Sequence, residues 1–86
     1  MIIVKVVFFA SFKEKLGASE LEQSIKDNAT IKCLCQTLAD KGDQWQLLFA
    51  NPTKQVKVAC NQQMAEMSTR LKNGDQVAFF PPVTGG

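Results

Sequence analysis

The fold is decided by residues 2–10, which read IIVKVVFFA and contain one charged side chain, that of Lys5. β-Branched and aromatic residues fill both alternate sets of positions in this stretch. Such residues favour strands, and a strand that is apolar on both sides belongs in the interior of a sheet. The stretch therefore predicts a central strand with much of both faces covered.

The residues that follow predict a short helix and a second strand. Ser11 and Glu14 form the pattern of a capping box, in which each side chain bonds the backbone amide of the other residue. Gly17 stands where a left-handed residue would end this helix after about one and a half turns. Residues 19–25 then alternate polar and apolar side chains, which predicts a solvated strand paired with the first one.

The middle of the chain predicts two more helices. After Thr30, the predicted N-cap, apolar residues recur at helical spacing as far as Gly42, which stands just past the end of the pattern. These apolar residues are Ile31, Leu34, Cys35, Leu38 and Ala39. A weaker pattern of Trp45, Leu48 and Phe49 predicts a further turn of helix before Asn51-Pro52. We expect the longer helix to pack across the sheet.

Two strands complete the domain. Residues 56–60 alternate and are closed by the polar residues 61–63, and the turn signal Asn73-Gly74-Asp75 leads into a strand at residues 76–80. The order of elements predicts an α+β domain with the β-grasp (ubiquitin-like) fold, a mixed sheet covered on one face by a helix. We expect this domain to span residues 1–81, with its first and last strands competing for the centre of the sheet.

Composition excludes several classes of function. The chain has 86 residues, 45% of them hydrophobic, a net charge of +2 and no histidine. Catalysis by Ser-His or Cys-His pairs and metal binding by histidine are therefore excluded. The weak net charge and the lack of a run of basic residues argue against nucleic acid as a partner. Because the apolar runs are short, we expect neither a signal peptide nor a membrane span.

The cysteines and carboxylates predict no catalytic or metal site. The chain has three cysteines, Cys33, Cys35 and Cys60. Because an odd number leaves at least one thiol unpaired, we interpret them as reduced thiols of a cytoplasmic protein. Three cysteines are too few for an iron–sulfur cluster with four cysteine ligands. Two residues apart on a helix, Cys33 and Cys35 face opposite ways and cannot chelate one ion, so Cys35 is expected in the core and Cys33 partly exposed. The carboxylates are dispersed, with no acid/base pair.

The last residues, FFPPVTGG at 79–86, are the remaining candidate site. Pro81 and Pro82 end the strand and hold the backbone extended, which predicts an extended tail over residues 82–86. Beyond them the side chains shrink from Val83 and Thr84 to Gly85-Gly86. Such a tapered tail fits a narrow channel, because glycine has no Cβ to meet the walls. The alternative is a frayed chain end without function.

An apolar patch is expected beside this tail. Alternation sends Phe79 and Phe80 to opposite faces of the strand, so one of them packs in the core and the other faces outward. The outward ring, with Phe9, Pro81 and Pro82, forms a candidate docking patch for a partner protein.

These residues carry a resemblance to a known family. Residues 74–86, GDQVAFFPPVTGG, resemble the C-terminal signature of the small subunits of molybdopterin synthase, which are ubiquitin-like sulfur carriers. Residues 6–10 resemble the first strand of that family, and Trp45 falls where a tryptophan is common in it. Residues 59–62, ACNQ, are similar to its Ala-Val-Asn-Gln segment, and the cysteine in place of valine is a small apolar exchange.

The resemblance implies a mechanism that takes place at the terminal carboxylate. In the family, an adenylyltransferase that resembles ubiquitin-activating enzymes uses ATP to adenylate the carboxylate of the terminal glycine, which is Gly86 in this sequence. Sulfur from a persulfide donor then converts this adenylate to a thiocarboxylate. The tail then enters the large catalytic subunit, where sulfur passes to cyclic pyranopterin monophosphate to form the dithiolene of molybdopterin. Two small and two large subunits form the complex. The small subunit alone is not an enzyme, and no cofactor is stably bound.

Within this mechanism each tail residue has an expected role. Gly86 is the reactive residue, Gly85 gives steric clearance, and Val83 and Thr84 contact the channel. Three alternatives stay open: a sulfur carrier of the thiamine pathway, a ubiquitin-like covalent modifier that joins Gly86 to lysines, and an interaction module with an inert tail. The stretch at residues 79–84 favours the pterin pathway.

Overall fold

The structure is a computed structural model that describes residues 1–50 and 56–81. It contains five strands and three helices within these ranges. The strands are β1 (Ile2–Phe8), β2 (Glu20–Ile25), β3 (Lys57–Cys60), β4 (Gln63–Met64) and β5 (Gln76–Phe80). The helices are α1 (Ser11–Leu16), α2 (Ile31–Ala39) and α3 (Asp43–Phe49).

The strands form one mixed sheet in the order β2-β1-β5-β3-β4. The pair β1–β5 is parallel, and the other three pairs are antiparallel. The central strand is therefore β5, with β1 beside it. Of the two strands predicted for the centre, the last one occupies it. The helices lie on one face of this sheet, so the predicted β-grasp architecture is confirmed.

One face of the sheet is open, which differs from the prediction for the first strand. Val4, Val6 and Phe8 of β1 are buried beneath the helices, whereas Ile3 on the opposite face is 48% exposed. The sequence predicts a strand covered on much of both faces because β1 is apolar at nearly every position. Residues 1–50 and 56–81 supply one layer of helices, however, and the second face of β1 remains partly accessible within them.

An aromatic cluster fills the core under the end of β5. Phe79 contacts Phe49 edge to face, with ring centroids 5.0 Å apart, and it also stacks on Phe8 at 6.3 Å. Trp45 meets Phe8 edge to face at 5.4 Å. Such contacts between aromatic rings add to the stabilisation from burial. The cluster therefore anchors the central strand where the chain leaves the sheet.

The start of α1 differs from the predicted capping box. Ala10 is the N-cap residue, and no side-chain cap hydrogen bond is present, so Ser11 lies within the helix and not before it. The chain reverses within one residue of β1, because the amide of Phe12 already donates to the carbonyl of Phe9. At the other end Gly17 has a φ of 69°, as predicted for a left-handed cap.

The remaining elements agree with the sequence except for β4. Thr30 caps α2 as predicted, since its hydroxyl accepts a hydrogen bond from the Cys33 amide. The predicted residues 61–63 close β3, but the turn consists of Asn61 and Gln62 alone, both with positive φ, and Gln63 already begins β4. Two residues with positive φ are typical of the tight hairpin turn that carries an added strand.

Candidate tail exit and docking surface

The central strand ends at the point where the predicted tail begins. At this end β5 is still paired on both sides, with Phe79 beside Phe8 of β1 and Phe80 beside Lys57 of β3. We call Phe80 and Pro81, the last residues that the structure describes, the tail exit. The tail exit therefore lies at the end of the central strand, in the middle of the sheet. Pro82, Val83, Thr84, Gly85 and Gly86 lie outside the described residues, so their roles stay predictions.

The two phenylalanines before the prolines face opposite ways, as predicted. Phe79 is fully buried in the aromatic cluster and cannot contact a partner, so of the two it is the core residue. Phe80 is half-buried on the open face of the sheet. Phe9, which is 49% exposed, and the half-buried Pro81 accompany it at the tail exit. The predicted patch thus consists of Phe9, Phe80 and Pro81 among the described residues.

A row of apolar side chains crosses the open face next to this patch. The strand registers place Val7 beside Ala78, Ala78 beside Ala59, and Ala59 beside Met64. The first three residues are half-buried and Met64 is 69% exposed. Alternation along the strands puts Phe9 and Phe80 on the same side as this row. Together these six residues form what we call the docking surface: Val7, Phe9, Ala59, Met64, Ala78 and Phe80.

The sequence analysis missed four residues of the docking surface: Val7, Ala59, Met64 and Ala78. Alternation along each strand is visible in the sequence, but a row across four strands exists only once their order and register are known. Short side chains at two of the positions make the row flat, which suits contact with another protein surface.

Charged residues border the docking surface on both sides. Lys5 of β1 forms an ion pair with Glu20 of β2, with 3.1 Å between Nζ and Oε2, and both side chains are about half exposed. Glu22 lies directly beside Lys5. On the opposite side the exposed Lys57 lies beside Phe80. An apolar centre with a charged rim is the usual anatomy of a protein interface.

The three thiols have separate environments. Cys33 is exposed, and a hydrogen bond from the Thr30 hydroxyl to its sulfur lowers the pKa of this thiol. Cys35 is buried in the core, and burial raises its pKa to about 12. The predicted opposite orientation of these two residues is therefore confirmed. Cys60 is half-buried, and burial together with the neighbouring Asp75 carboxylate raises its pKa.

Residues 1–50 and 56–81 contain no group of histidine, cysteine or acidic side chains arranged to hold a metal ion. In the same ranges no helix has the length and apolar character needed to cross a bilayer.

Comparison with known proteins gives concordant results. The model of the ThiS family matches residues 6–86. The molybdopterin synthase sulfur carrier subunit of Haemophilus influenzae is 40% identical over 98% of this chain and 100% of its own length. The corresponding subunit of Escherichia coli is 38% identical with the same coverage. Small archaeal modifier protein 3 of Haloferax volcanii is 33% identical over 92% of this chain and 94% of its own.

Two solved structures have the same fold. A Haloferax volcanii protein solved in solution superposes with a TM-score of 0.85 at 28% identity, over 99% of this chain and 87% of its own. The complex of subunits 1 and 2 of molybdopterin-converting factor from Helicobacter pylori contains a chain with a TM-score of 0.66 at 27% identity, over 99% of this chain and 100% of its own. The chain belongs to the ThiS family, and the sulfur carrier subunits of molybdopterin synthase are among its homologues.

Proposed function

We propose that this chain is the sulfur carrier subunit of a molybdopterin synthase and carries sulfur as a thiocarboxylate on Gly86. The observation that supports this proposal is the tail exit itself. It lies at the end of the central strand of the sheet, and the segment PVTGG follows it in the sequence. The docking surface lies beside the tail exit. Docking of the domain would therefore bring the tail to the partner at the same time.

The chemistry follows from the inertness of a carboxylate. Its oxide is a poor leaving group, so an adenylyltransferase first uses ATP to convert Gly86 to an acyl adenylate, with release of pyrophosphate. A persulfide sulfur then displaces AMP, and a thiol cleaves the remaining sulfur–sulfur bond to leave the thiocarboxylate. The sulfur attacks cyclic pyranopterin monophosphate in the large subunit, and hydrolysis of the acyl–sulfur bond restores the carboxylate.

The small subunit supplies the reactant and the large subunit supplies the catalytic groups. Gly85 clears the narrow part of the channel, while Val83 and Thr84 contact its walls. Phe9, Phe80, Pro81 and Pro82 dock the domain at the mouth. The chain needs no stably bound cofactor, because ATP is consumed by the activating enzyme.

The docking surface supports a large catalytic subunit as the partner. It joins an apolar row to the exposed ring of Phe9, and such a patch on a small domain marks a protein interaction site. The related Helicobacter pylori chain was solved as a complex of subunits 1 and 2 of molybdopterin-converting factor. We infer an assembly of two small and two large subunits, located in the cytoplasm.

The proposal is tested by the intact mass of the chain. After incubation with its activating enzyme, ATP and a sulfide source, the mass should rise by the exchange of one oxygen for sulfur. Addition of the large subunit and cyclic pyranopterin monophosphate should return it to the starting value. A chain that never gains sulfur under these conditions would refute the proposal.

The tail role predicts a graded effect of side-chain size at Gly85. Gly85→Val should abolish sulfur transfer while circular dichroism and thermal melting stay unchanged, because a branched side chain blocks a channel sized for glycine. Gly85→Ala is the matched control, and its single methyl group should retain part of the activity. Full activity of Gly85→Val in a purified two-subunit assay would contradict the channel.

A covalent modifier is the second candidate, because one relative is a small archaeal modifier protein. A modifier would form isopeptide bonds between Gly86 and lysines of other proteins. Mass spectrometry of a tagged chain captured from its host separates the two functions. Lysine conjugates support the modifier, and oxygen-to-sulfur exchange at Gly86 supports the carrier.

A further inference from the structure

The turn before β5 contains the pair Asn73-Gly74, which takes no part in the proposed function. The Asp75 amide donates to the Lys72 carbonyl at 3.0 Å, which closes a four-residue turn with Asn73 and Gly74 at its centre. Gly74 has a φ of 88°, as the second central residue of a type II turn requires. Both central residues are exposed to solvent.

An asparagine followed by a glycine has the chemistry to modify itself. The backbone nitrogen of the glycine loses its proton and attacks the carboxamide carbon of the asparagine. The carboxamide nitrogen takes up a proton and leaves as ammonia, and a cyclic succinimide remains. Water then opens the ring at either carbonyl, which gives aspartate or isoaspartate with a new carboxylate. Glycine favours this reaction, because it has no side chain to hinder the ring and its backbone is the most flexible.

In the folded chain both reacting groups are bonded to the backbone of Ile3. The Gly74 amide donates to the Ile3 carbonyl at 2.9 Å, and the Oδ1 atom of Asn73 accepts from the Ile3 amide at 2.8 Å. The first bond keeps the proton on the nitrogen that would attack. The second bond fixes the orientation of the carboxamide. The reaction therefore requires that the turn separate from Ile3.

These two bonds lie at the outer end of the parallel pair β1–β5. The paired register of the two strands begins with Lys5 beside Gln76, and the Lys5 amide donates to the Asp75 carbonyl at 2.9 Å. Ile3 lies beyond this point, close to the start of β1, and its side chain is 48% exposed. The ends of strands open locally more often than their centres. Opening of this end does not require the domain to unfold.

We propose that Asn73 is a site of spontaneous deamidation whose rate is set by the opening of its hydrogen bonds, and those of Gly74, to Ile3. The reaction goes in one direction, because isoaspartate places an extra methylene group in the backbone and displaces the Gly74 amide from Ile3. The modified fraction of the chain therefore records how often the start of β1 has opened. The site lies at the opposite end of β5 from the tail exit, so the inference is independent of the proposed function.

The test follows deamidation of the full chain by peptide mass mapping, in one slightly alkaline buffer with and without urea. The peptide that contains Asn73 should gain the mass difference between a carboxamide and a carboxylic acid. The reaction should be at least about tenfold slower in the folded chain, since unfolding removes both bonds to Ile3. Asn28 and Asn61, which larger residues follow, are internal references and should stay unmodified. Equal rates with and without urea, or no reaction in urea, would overturn the proposal.

Two variants at Ile3 test the role of its backbone. Ile3→Pro removes the amide that donates to Asn73 and keeps the carbonyl that accepts from Gly74. When folded, it should deamidate about 3- to 10-fold faster than the natural chain, the effect of one lost hydrogen bond, and in urea equally fast. Ile3→Val keeps the amide, is the matched control and should react at the natural rate.

Circular dichroism and amide hydrogen exchange complete the test. A folded Ile3→Pro chain that deamidates at the natural rate would overturn the proposed control by Ile3. Exchange of the Gly74 amide in the natural chain should be slowed by its bond to Ile3. Exchange as fast as in the unfolded chain would overturn the proposal whether or not Ile3→Pro folds.

Discussion

The side chain of Asp75 ties the turn before β5 to the β3–β4 hairpin. Its carboxylate accepts hydrogen bonds from the Lys72 amide at 2.8 Å and from the Asn61 side chain at 3.0 Å. Partial burial opposes ionisation, but the bonds from Asn61 and Lys72 outweigh it and hold the pKa of Asp75 below its ordinary value. A group with a lowered pKa in the folded state stabilises the fold above its unfolded pKa, and this contribution disappears as the pH falls through the folded pKa.

Asp75→Asn should therefore lower the free energy of unfolding at neutral pH by about 1–2 kcal/mol. It should also flatten the loss of stability that the natural chain shows below about pH 4. Urea unfolding at a series of pH values measures both effects. Glu66→Gln, at an exposed carboxylate, is the control and should shift stability by less than about 0.5 kcal/mol. Identical pH profiles for the natural chain and Asp75→Asn would contradict the assignment.

Single positions were predictable where the period of one element decides them. The opposite orientations of Cys33 and Cys35 follow from helical geometry, and those of Phe79 and Phe80 from strand alternation. The start of α1 was not predictable in this way. The Phe9 amide donates to the carbonyl of Phe79, far away in the chain, and the turn closed by the Phe12 amide and the Phe9 carbonyl follows directly. Ser11 therefore lies inside the helix, and the capping box fails.

At the start of helix α2, the backbone amides find hydrogen-bond partners both nearby and far away in the chain. The apolar period of α2 and its N-cap, Thr30, were readable from the sequence. The amides of Ile31 and Lys32 donate instead to the carbonyls of Thr69 and Met67, at 3.0 Å and 2.9 Å. Free amides at a helix start need such partners. The loop before β5 therefore holds the N-terminal end of α2. No local sequence pattern indicates the hydrogen bonds between this loop and the helix.

The cap of α2 should contribute measurably to stability. Thr30→Ala removes the hydroxyl that accepts from the Cys33 amide, so the free energy of unfolding should fall by about 1 kcal/mol. Thr30→Ser keeps the hydroxyl and should retain most of this stability. Chemical denaturation of the two variants gives the comparison. Equal stability of the alanine and serine variants would show that the loop carbonyls alone maintain the start of α2.

The docking surface depends on the arrangement of the complete domain. The strong strands were predictable one by one, but β4 was missed because two residues are too few to show alternation. The order of the strands was open for a related reason, since β1 and β5 are both apolar enough for the centre. The row from Val7 to Met64 becomes visible only when the sheet is assembled.

Two exposed apolar residues on opposite sides of the domain allow a direct test of the docking surface. Met64 on the open face is 69% exposed, and Leu47 on α3, on the helical side, is 67% exposed. Neither Met64→Glu nor Leu47→Glu should change the free energy of unfolding by more than about 0.5 kcal/mol, because both side chains already lie in water. Met64→Glu should weaken binding to the large subunit by about tenfold or more, since docking would bury an unpaired charge. Leu47→Glu should bind normally, and equal affinities of the two variants would exclude the open face as the interface.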